Sequence, residues 1–251
     1  MKLKLVFILI AFVGILACNP EPQANLFVKG KIEGVRKGEL YLQTLKDTSL
    51  ISLDSVHFFG NEDFELKANI EEPQLMFLYL KKFGNEDDAE YLEFFAEAGE
   101  FEFNVKMENF AQAKADKAPE NHQKYETYLA ILKRFKDQNL DLVSERIQTQ
   151  QDDTIAQLAI DKKFDNLLRR KYLYTVNYAI NNSEYEIAPF LVLSEAYNVN
   201  KTYLDTVFNS LTPQVKDSKY GKKLKELIEI RTEEAQEENT KVKELSEEVE
   251  S

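Results

Sequence analysis

Phe64-Glu65-Leu66-Lys67-Ala68-Asn69-Ile70 sets an apolar residue at every second position, and Phe101-Glu102-Phe103-Asn104-Val105-Lys106-Met107 repeats the pattern. Successive side chains of a strand point to opposite faces, so each stretch makes a strand with one dry face and one wet. Leu75-Met76-Phe77-Leu78-Tyr79-Leu80 is apolar throughout and follows Pro73, as in a central strand covered on both faces. Similar runs at 26–33, 39–45, 50–58 and 90–96 bring the count to about seven, punctuated by Gly34, Gly38, Gly60, Gly84 and Gly99. Short strands with tight turns predict an antiparallel β-sandwich or a strongly curled sheet over residues 26–110.

After that the period changes. Tyr125, Tyr128, Leu129, Leu132 and Phe135 form one apolar helical stripe. A second helix starts at the Asp153-Thr154 cap, runs through Leu158, Leu167, Leu168, Tyr172, Val176 and Ile180, and ends near Asn181-Asn182. Shorter helices fit 184–197 and 201–211, with Pro213 as a stop signal, and a last one begins near Tyr220. The fold class is therefore α+β: a β domain, a helical domain over 119–230, and a polar hinge around 111–121. In the last helix Leu224, Ile228, Arg231, Ala235, Glu238, Val242, Leu245 and Val249 follow a heptad spacing. Such a seam would make a homodimer through the C-terminal helix. The alternative is a solvated tail, since residues 231–251 hold eight Glu against three Lys and Arg.

Composition narrows the function. The 251 residues carry 32 Lys and Arg against 44 Asp and Glu, a net charge of −12, so nucleic acid is an unsuitable partner. One cysteine, no tryptophan and two histidines exclude an internal disulfide, a dithiol redox centre and a zinc site built on several Cys and His.

The first residues give the expected address. Lys2 and Lys4 precede an uncharged run from Leu5 to Ala17. As a helix it rises only ~20 Å, short of the ~30 Å hydrocarbon core. A basic head, a short apolar run and a small residue before the break define a secretory signal peptide over 1–17. The run closes on Ile15-Leu16-Ala17-Cys18, which resembles the lipobox of bacterial lipoproteins. That resemblance implies cleavage before Cys18 and acylation of its sulfur and amine, with palmitate-type chains holding the protein on the bilayer, most readily the outer membrane. Residues 18–25 then form a short tether. Loss of 1–17 removes two lysines and no acid, taking the net charge from −12 to −14.

Catalytic patterns are sparse. His57 lies two residues after Ser55 on a strand, ~6–7 Å along it, too far for a nucleophile–base hydrogen bond. His122 is placed at an ordinary helix N-terminus. P-loop, dinucleotide and EF-hand spacings are absent from the sequence. One internal echo stands out: Phe59-Gly60-Asn61-Glu62-Asp63 recurs as Phe83-Gly84-Asn85-Glu86-Asp87, with Asp88 following. Both loops would meet at one end of the sheet as an acidic rim for calcium, formed by Asn61, Glu62, Asp63, Asn85, Glu86, Asp87 and Asp88. Ordinary turn chemistry explains each copy without an ion, and no cofactor is expected. Asp54-Ser55-Val56, Asp153-Thr154-Ile155 and Asp205-Thr206-Val207 resemble the Asp-(Ser/Thr)-aliphatic acceptor of some Gram-negative O-glycosylation systems, least awkwardly at Thr154.

A wider resemblance is carried by Phe27-Val28-Lys29-Gly30, Gly38-Glu39-Leu40-Tyr41-Leu42, Leu53-Asp54-Ser55-Val56, Gly60 through Phe64, Pro73 and Phe94-Phe95-Ala96-Glu97-Ala98-Gly99. Beyond these, Ser218-Lys219-Tyr220-Gly221-Lys222-Lys223-Leu224 is similar to the helical segment that follows in the same family. The pieces resemble envelope lipoproteins whose N-terminal domain of unknown function usually precedes a thioredoxin-like thiol-disulfide oxidoreductase domain. The family's Trp-Cys-x-x-Cys centre has no counterpart here, and Ala115-Asp116-Lys117-Ala118 stands where the family often shows Gly-Ser or Gly-Thr. The resemblance thus implies fold and compartment, not redox activity. The resulting expectation is a non-catalytic envelope lipoprotein acting as a protein- or ligand-binding module. A structural spacer or dimerising partner of a separate envelope oxidoreductase is the alternative, and a carboxylate-based hydrolase the third.

Overall fold

The computed structural model describes residues 23–82 and 89–249, with side chains as far as Glu237. Seven strands form two sheets: β1 (Leu26–Glu33), β2 (Lys37–Lys46), β3 (Ser49–Phe59), β4 (Asp63–Ala68), β5 (Gln74–Lys82), β6 (Ala89–Ala96) and β7 (Gly99–Lys106). One sheet has the order β4-β1-β7 and the other β3-β2-β5-β6. The α+β class and the sandwich follow the expectation. One pairing departs from it: β1 runs parallel to β7 and antiparallel to β4.

Alternation dictates the interior. Leu26, Val28 and Ile32 of β1 face Leu40 and Leu42 of β2 and Met76, Leu78 and Leu80 of β5 in one buried cluster, which Phe94, Phe101 and Phe103 complete. Burying a side chain of this size contributes about 1.5–3 kcal/mol. Gly30 lies in the same inward-facing set, at a φ of +153°, opposite Phe103 in the β1–β7 register. A Cβ there would stand 1.9 Å from the Phe103 carbonyl oxygen, so the close approach of β7 requires glycine. At the shared edge, Asp54 of β3 accepts a hydrogen bond from Lys67 N–H of β4 at 2.7 Å and ties the two sheets together.

A 3₁₀ turn (Met107–Gln112) carries Phe110 into the sandwich interior. The expected hinge after it is instead bonded down. Lys117 bridges to Glu102, whose N–H donates to Lys117 O at 2.9 Å and whose carbonyl accepts from Asp116 N–H at 2.8 Å.

Six helices follow: α1 (Glu120–Gln148), α2 (Thr154–Asn181), α3 (Ile187–Glu195), α4 (Lys201–Ser210), α5 (Pro213–Asp217) and α6 (Lys219–Val249). Asp153 caps α2 by accepting from Ala156 N–H at 3.0 Å, and Asn200 caps α4 by accepting from Thr202 N–H at 2.9 Å. Pro213 follows the end of α4 at Ser210, as a stop signal should. It also opens α5 at the first helical position, where its missing N–H costs nothing, and Thr212 caps it. Val176, Ala179, Val192, Leu204 and Leu224 form the core of the helical layer. Among the described residues no helix is long and apolar enough to cross a membrane.

The helices attach to the outer face of the β5–β6 edge. There Phe95, Tyr125, Tyr128, Leu132, Ile187, Leu191 and Tyr220 pack as one aromatic-rich cluster. Leu75 N–H donates to the Tyr220 hydroxyl at 3.2 Å, and Lys219 Nζ to Gln74 Oε1 at 2.9 Å, so α6 is also held on β5. The heptad seam therefore begins inside the chain. Leu224 is buried in the helical core, Ile228 packs against it, and Arg231 bonds Glu234 and Asn198 while lying over Tyr197. The seam positions from Glu238 onward lie outside the described side chains.

Gly30→Ala should destabilise the protein by about 2–4 kcal/mol, because the new methyl collides with backbone rather than a movable side chain. Urea denaturation against the unchanged protein measures it, and near-equal midpoints would show that β1 and β7 are not packed this closely.

Candidate functional site

The first turn of α1 joins the two halves of the molecule. His122 stands at a helix N-terminus, where the sequence places it, but it is no surface residue: Asn121 and His122 are both buried, with His122 only 2% exposed. Asn121 donates from its backbone N–H and from Nδ2 to the two carboxylate oxygens of Glu97, at 2.8 and 3.0 Å. Its Nδ2 also donates to Glu186 at 2.9 Å, and its Oδ1 accepts from Ile187 N–H at 2.9 Å. One asparagine thus bonds the β6–β7 turn and the start of α3. His122 Nδ1 accepts from Phe95 N–H at 3.2 Å, which fixes the tautomer: Nε2 carries the proton toward Glu126, also at 3.2 Å. The ring lies 5.4 Å from that of Phe101 and 6.3 Å from those of Phe94 and Phe103, closing the end of the sandwich.

These groups are consumed by structure. Burial alone would push the Glu126 carboxyl up, but hydrogen bonds from His122 and from Ala115 N–H outweigh it and hold the carboxyl below its ordinary value. Glu100, held by Lys117 and Lys29, falls to about 2. Glu62 is lowered by a backbone hydrogen bond from Gly34 and an ion pair with Lys31. Among the described residues, every carboxyl whose titration is clearly displaced moves down, the reverse of what a general acid needs. Burial pushes the Tyr125 hydroxyl far up, and Glu93, to which it donates, adds to the shift.

The residues singled out in the sequence are scattered. Phe59 and Lys82 lie opposite Lys37 and Gly38 of β2, so the ends of β3 and β5 do reach one end of the sheet. Of the acidic rim, Asn85, Glu86, Asp87 and Asp88 lie outside the described residues. Glu62 accepts from Gly34 N–H at 2.7 Å and pairs with Lys31 at 3.1 Å, while Asn61 accepts from Phe59 N–H at 3.4 Å as turn residues do. Asp63 is exposed, pairing with Lys31 in the β1–β4 register. Among the described residues no three metal-ligating side chains converge. His57 is on the strand surface as expected, 3.0 Å from Glu39. Thr154 is exposed beside its capping Asp153. Cys18 lies outside the described residues.

The surface feature that sequence reasoning missed lies between α1 and α2. From Phe135 to Phe164 the two helices form an arm, held by Lys163–Glu145 and Arg146–Asp161 ion pairs and a 2.9 Å bond from Arg170 to Gln138. One face of the arm is a groove of about 630 Å³, floored by Leu132, Phe135, Phe164 and Leu167 and rimmed by Lys136, Asn139, Asp165 and Lys171. At the sheet end, α3 fills the same groove through Ile187 and Leu191, and it stops at Glu195, which pairs with Lys171 at 2.8 Å. Beyond that point the apolar lining continues without a covering helix. Of that lining, Leu140 is 65% exposed and Leu168 46%, and Ile147, farther along α1 than the lining residues, is 78% exposed. The missed signal was available: Leu140, Val143 and Ile147 extend the Tyr125–Phe135 helix at i, i+3, i+7, a stripe longer than its own core requires.

With this geometry in place, comparison with known proteins adds one finding. Residues 27–123 match a family model described as Domain of unknown function (DUF4369). The match runs past the last strand to the first turn of α1, the turn whose His122 closes the sandwich. The sandwich with its His122 plug is thus similar to a domain of unknown function. No curated protein and no solved structure matches the chain.

His122→Ala removes the only acceptor of a buried N–H and opens a space among three phenylalanines. It should cost about 2–4 kcal/mol in urea denaturation. A loss below about 0.5 kcal/mol would mean that the joint does not depend on this ring.

Proposed function

We propose that this protein is a lipid-anchored bacterial envelope lipoprotein, acylated on Cys18, whose folded body is a non-catalytic module for binding another protein. The anchor rests on the sequence: Lys2, Lys4, the apolar run to Ala17 and the lipobox-like Ile15-Leu16-Ala17-Cys18. Asn25 is pinned to the sandwich, exchanging hydrogen bonds with Ile70 at 2.7 and 2.9 Å. The seven residue-to-residue steps from Cys18 to Asn25 span at most about 25 Å, so the body would be kept close to the bilayer. Its net negative charge favours standing off an anionic leaflet.

The observation that carries the binding reading is the half-filled groove. A helix already occupies its inner part, and its outer part presents the same kind of apolar lining to solvent. The non-catalytic reading is supported by the downward displacement of Glu62, Glu100 and Glu126 and by the structural bonds that occupy both nitrogens of His122. The second reading, a spacer or dimerising partner of a separate envelope thiol-disulfide oxidoreductase, draws on α6, whose helix runs on past its last packed turn.

Two experiments test these readings. Intact mass of the membrane-extracted protein should show acyl chains on Cys18, and Cys18→Ala should be recovered in the soluble fraction; an alanine variant that stays in the membrane would remove the lipid anchor from the account. For the groove, Leu140→Glu combined with Leu168→Glu should change stability by less than about 0.5 kcal/mol, as for exposed residues that fold nothing. Thermal or urea denaturation reads this directly. A large loss would make the groove part of the folding core and end its candidacy as a docking site.

A further inference from the structure

Resting on the groove as a helix-docking site, we propose that its occupant is the acidic C-terminal helix of a second copy of this chain. Three observations converge. The first is shape: α3 shows that the α1–α2 groove accepts a helix, and the open part begins where α3 ends at Glu195. A helix entering there continues an interface the chain already makes within itself.

The second is charge. Residues 133–171 hold nine Lys and Arg against seven Asp and Glu, a net +2 in a chain of net −12. Lys136 on the rim has no ion-pair partner among the described residues, and neither do Arg134, Lys162 and Arg169. Residues 231–251 are the opposite, with eight Glu against three Lys and Arg. Pairing two arms face to face would set like charges against each other, whereas the tail brings complementary ones.

The third is pattern. Val242, Leu245 and Val249 repeat the i, i+3, i+7 spacing of Leu140, Val143 and Ile147, so both helices carry one apolar stripe of equal length. Seven residues of helix rise ~10 Å, comparable to the ~12 Å between Leu132 and Leu140 along α1. The tail is continuous with α6, and a single unbroken helix from Lys219 to Val249 does not turn back into its own groove. A second copy supplies it without any break. Two such exchanges make a reciprocal dimer, and lipid anchoring would raise the local concentration that favours it.

This arrangement differs from a tail-to-tail coiled coil in what the tail touches. The test mixes unlabelled and heavy-nitrogen-labelled full-length protein and applies a zero-length carbodiimide crosslinker, followed by mass spectrometry. The expected result is mixed-label peptide pairs joining Lys136 to a tail glutamate such as Glu238 or Glu244. Leu140→Glu, which sets a charge in the apolar seat, should reduce those pairs by about tenfold or more, as should Leu245→Glu. Pairs found only within one label would mean that the chain fills its own groove, and pairs joining tail to tail would mean a coiled coil. Either result overturns the proposal, as does the absence of mixed pairs. Failure of the tail as occupant is distinguishable from failure of the groove itself, because the groove reading stands or falls on the stability of the Leu140→Glu, Leu168→Glu variant.

Discussion

The turn Asn121-His122 is the joint on which the rest of the molecule is built. A sandwich has two open ends, and a buried backbone N–H at such an end must find a partner or cost the fold about 1–3 kcal/mol. His122 supplies that partner to Phe95, and the ring itself fills the space beside Phe101. Because His122 is also the third residue of α1, satisfying the sheet fixes where the first long helix starts. Asn121 then bonds Glu97 on one side and Ile187 on the other, so the start of α3 is set by the same turn. The direction of the arm and the depth to which α3 enters the groove follow from two adjacent side chains.

This joint also accounts for the extent of the family match. A domain bounded by strands alone would end near Lys106, yet the similarity continues to residue 123. The intervening segment is part of the sandwich in physical terms: Phe110 fills its interior, Lys117 adds one antiparallel bridge beside β7, and His122 closes it. The helices beyond are attached by aromatic packing around Phe95, whose neighbour Phe94 faces the opposite way into the sandwich. Two consecutive buried phenylalanines on one strand are how a sheet holds a core on each face.

Much of this was legible in the sequence because the relevant signals are local. Alternation over Phe64–Ile70 and Phe101–Met107 and the stripe through Tyr125–Phe135 report faces directly, and the strands and helices lie where those periods place them. What was illegible depends on contacts distant in the chain. The parallel β1–β7 pairing is set by Gly30 meeting Phe103, and no local pattern announces it. His122 reads as a polar residue on a helix start until Phe95 is brought beside it. Pro213 was legible in part: the helix before it ends at Ser210, as a proline just beyond it predicts, whereas its second role as the opening of the next helix depends on Thr212 in the capping position. The acidic echo was legible as sequence but not as chemistry. In the described copy, Glu62 is engaged by Gly34 and Lys31, which makes the turn a fastening of β1 to β4.

Charge gives the molecule a polarity that its overall composition conceals. A chain of net −12 carries a net-positive arm with an exposed apolar stripe and a strongly acidic final helix. Selection for solubility alone would favour scattering these charges and covering Leu140, Ile147 and Leu168 with polar residues, since none of the three is needed to bury the core. Their exposure is tolerable because the rim of lysines and Asp165 breaks the surface into a narrow strip, too small to drive unselective association but long enough to seat one helix. The proposed lipid anchor would sharpen that economy: copies confined to a bilayer would populate even a weak contact, so a groove of modest area would suffice where a freely diffusing protein needs a larger interface.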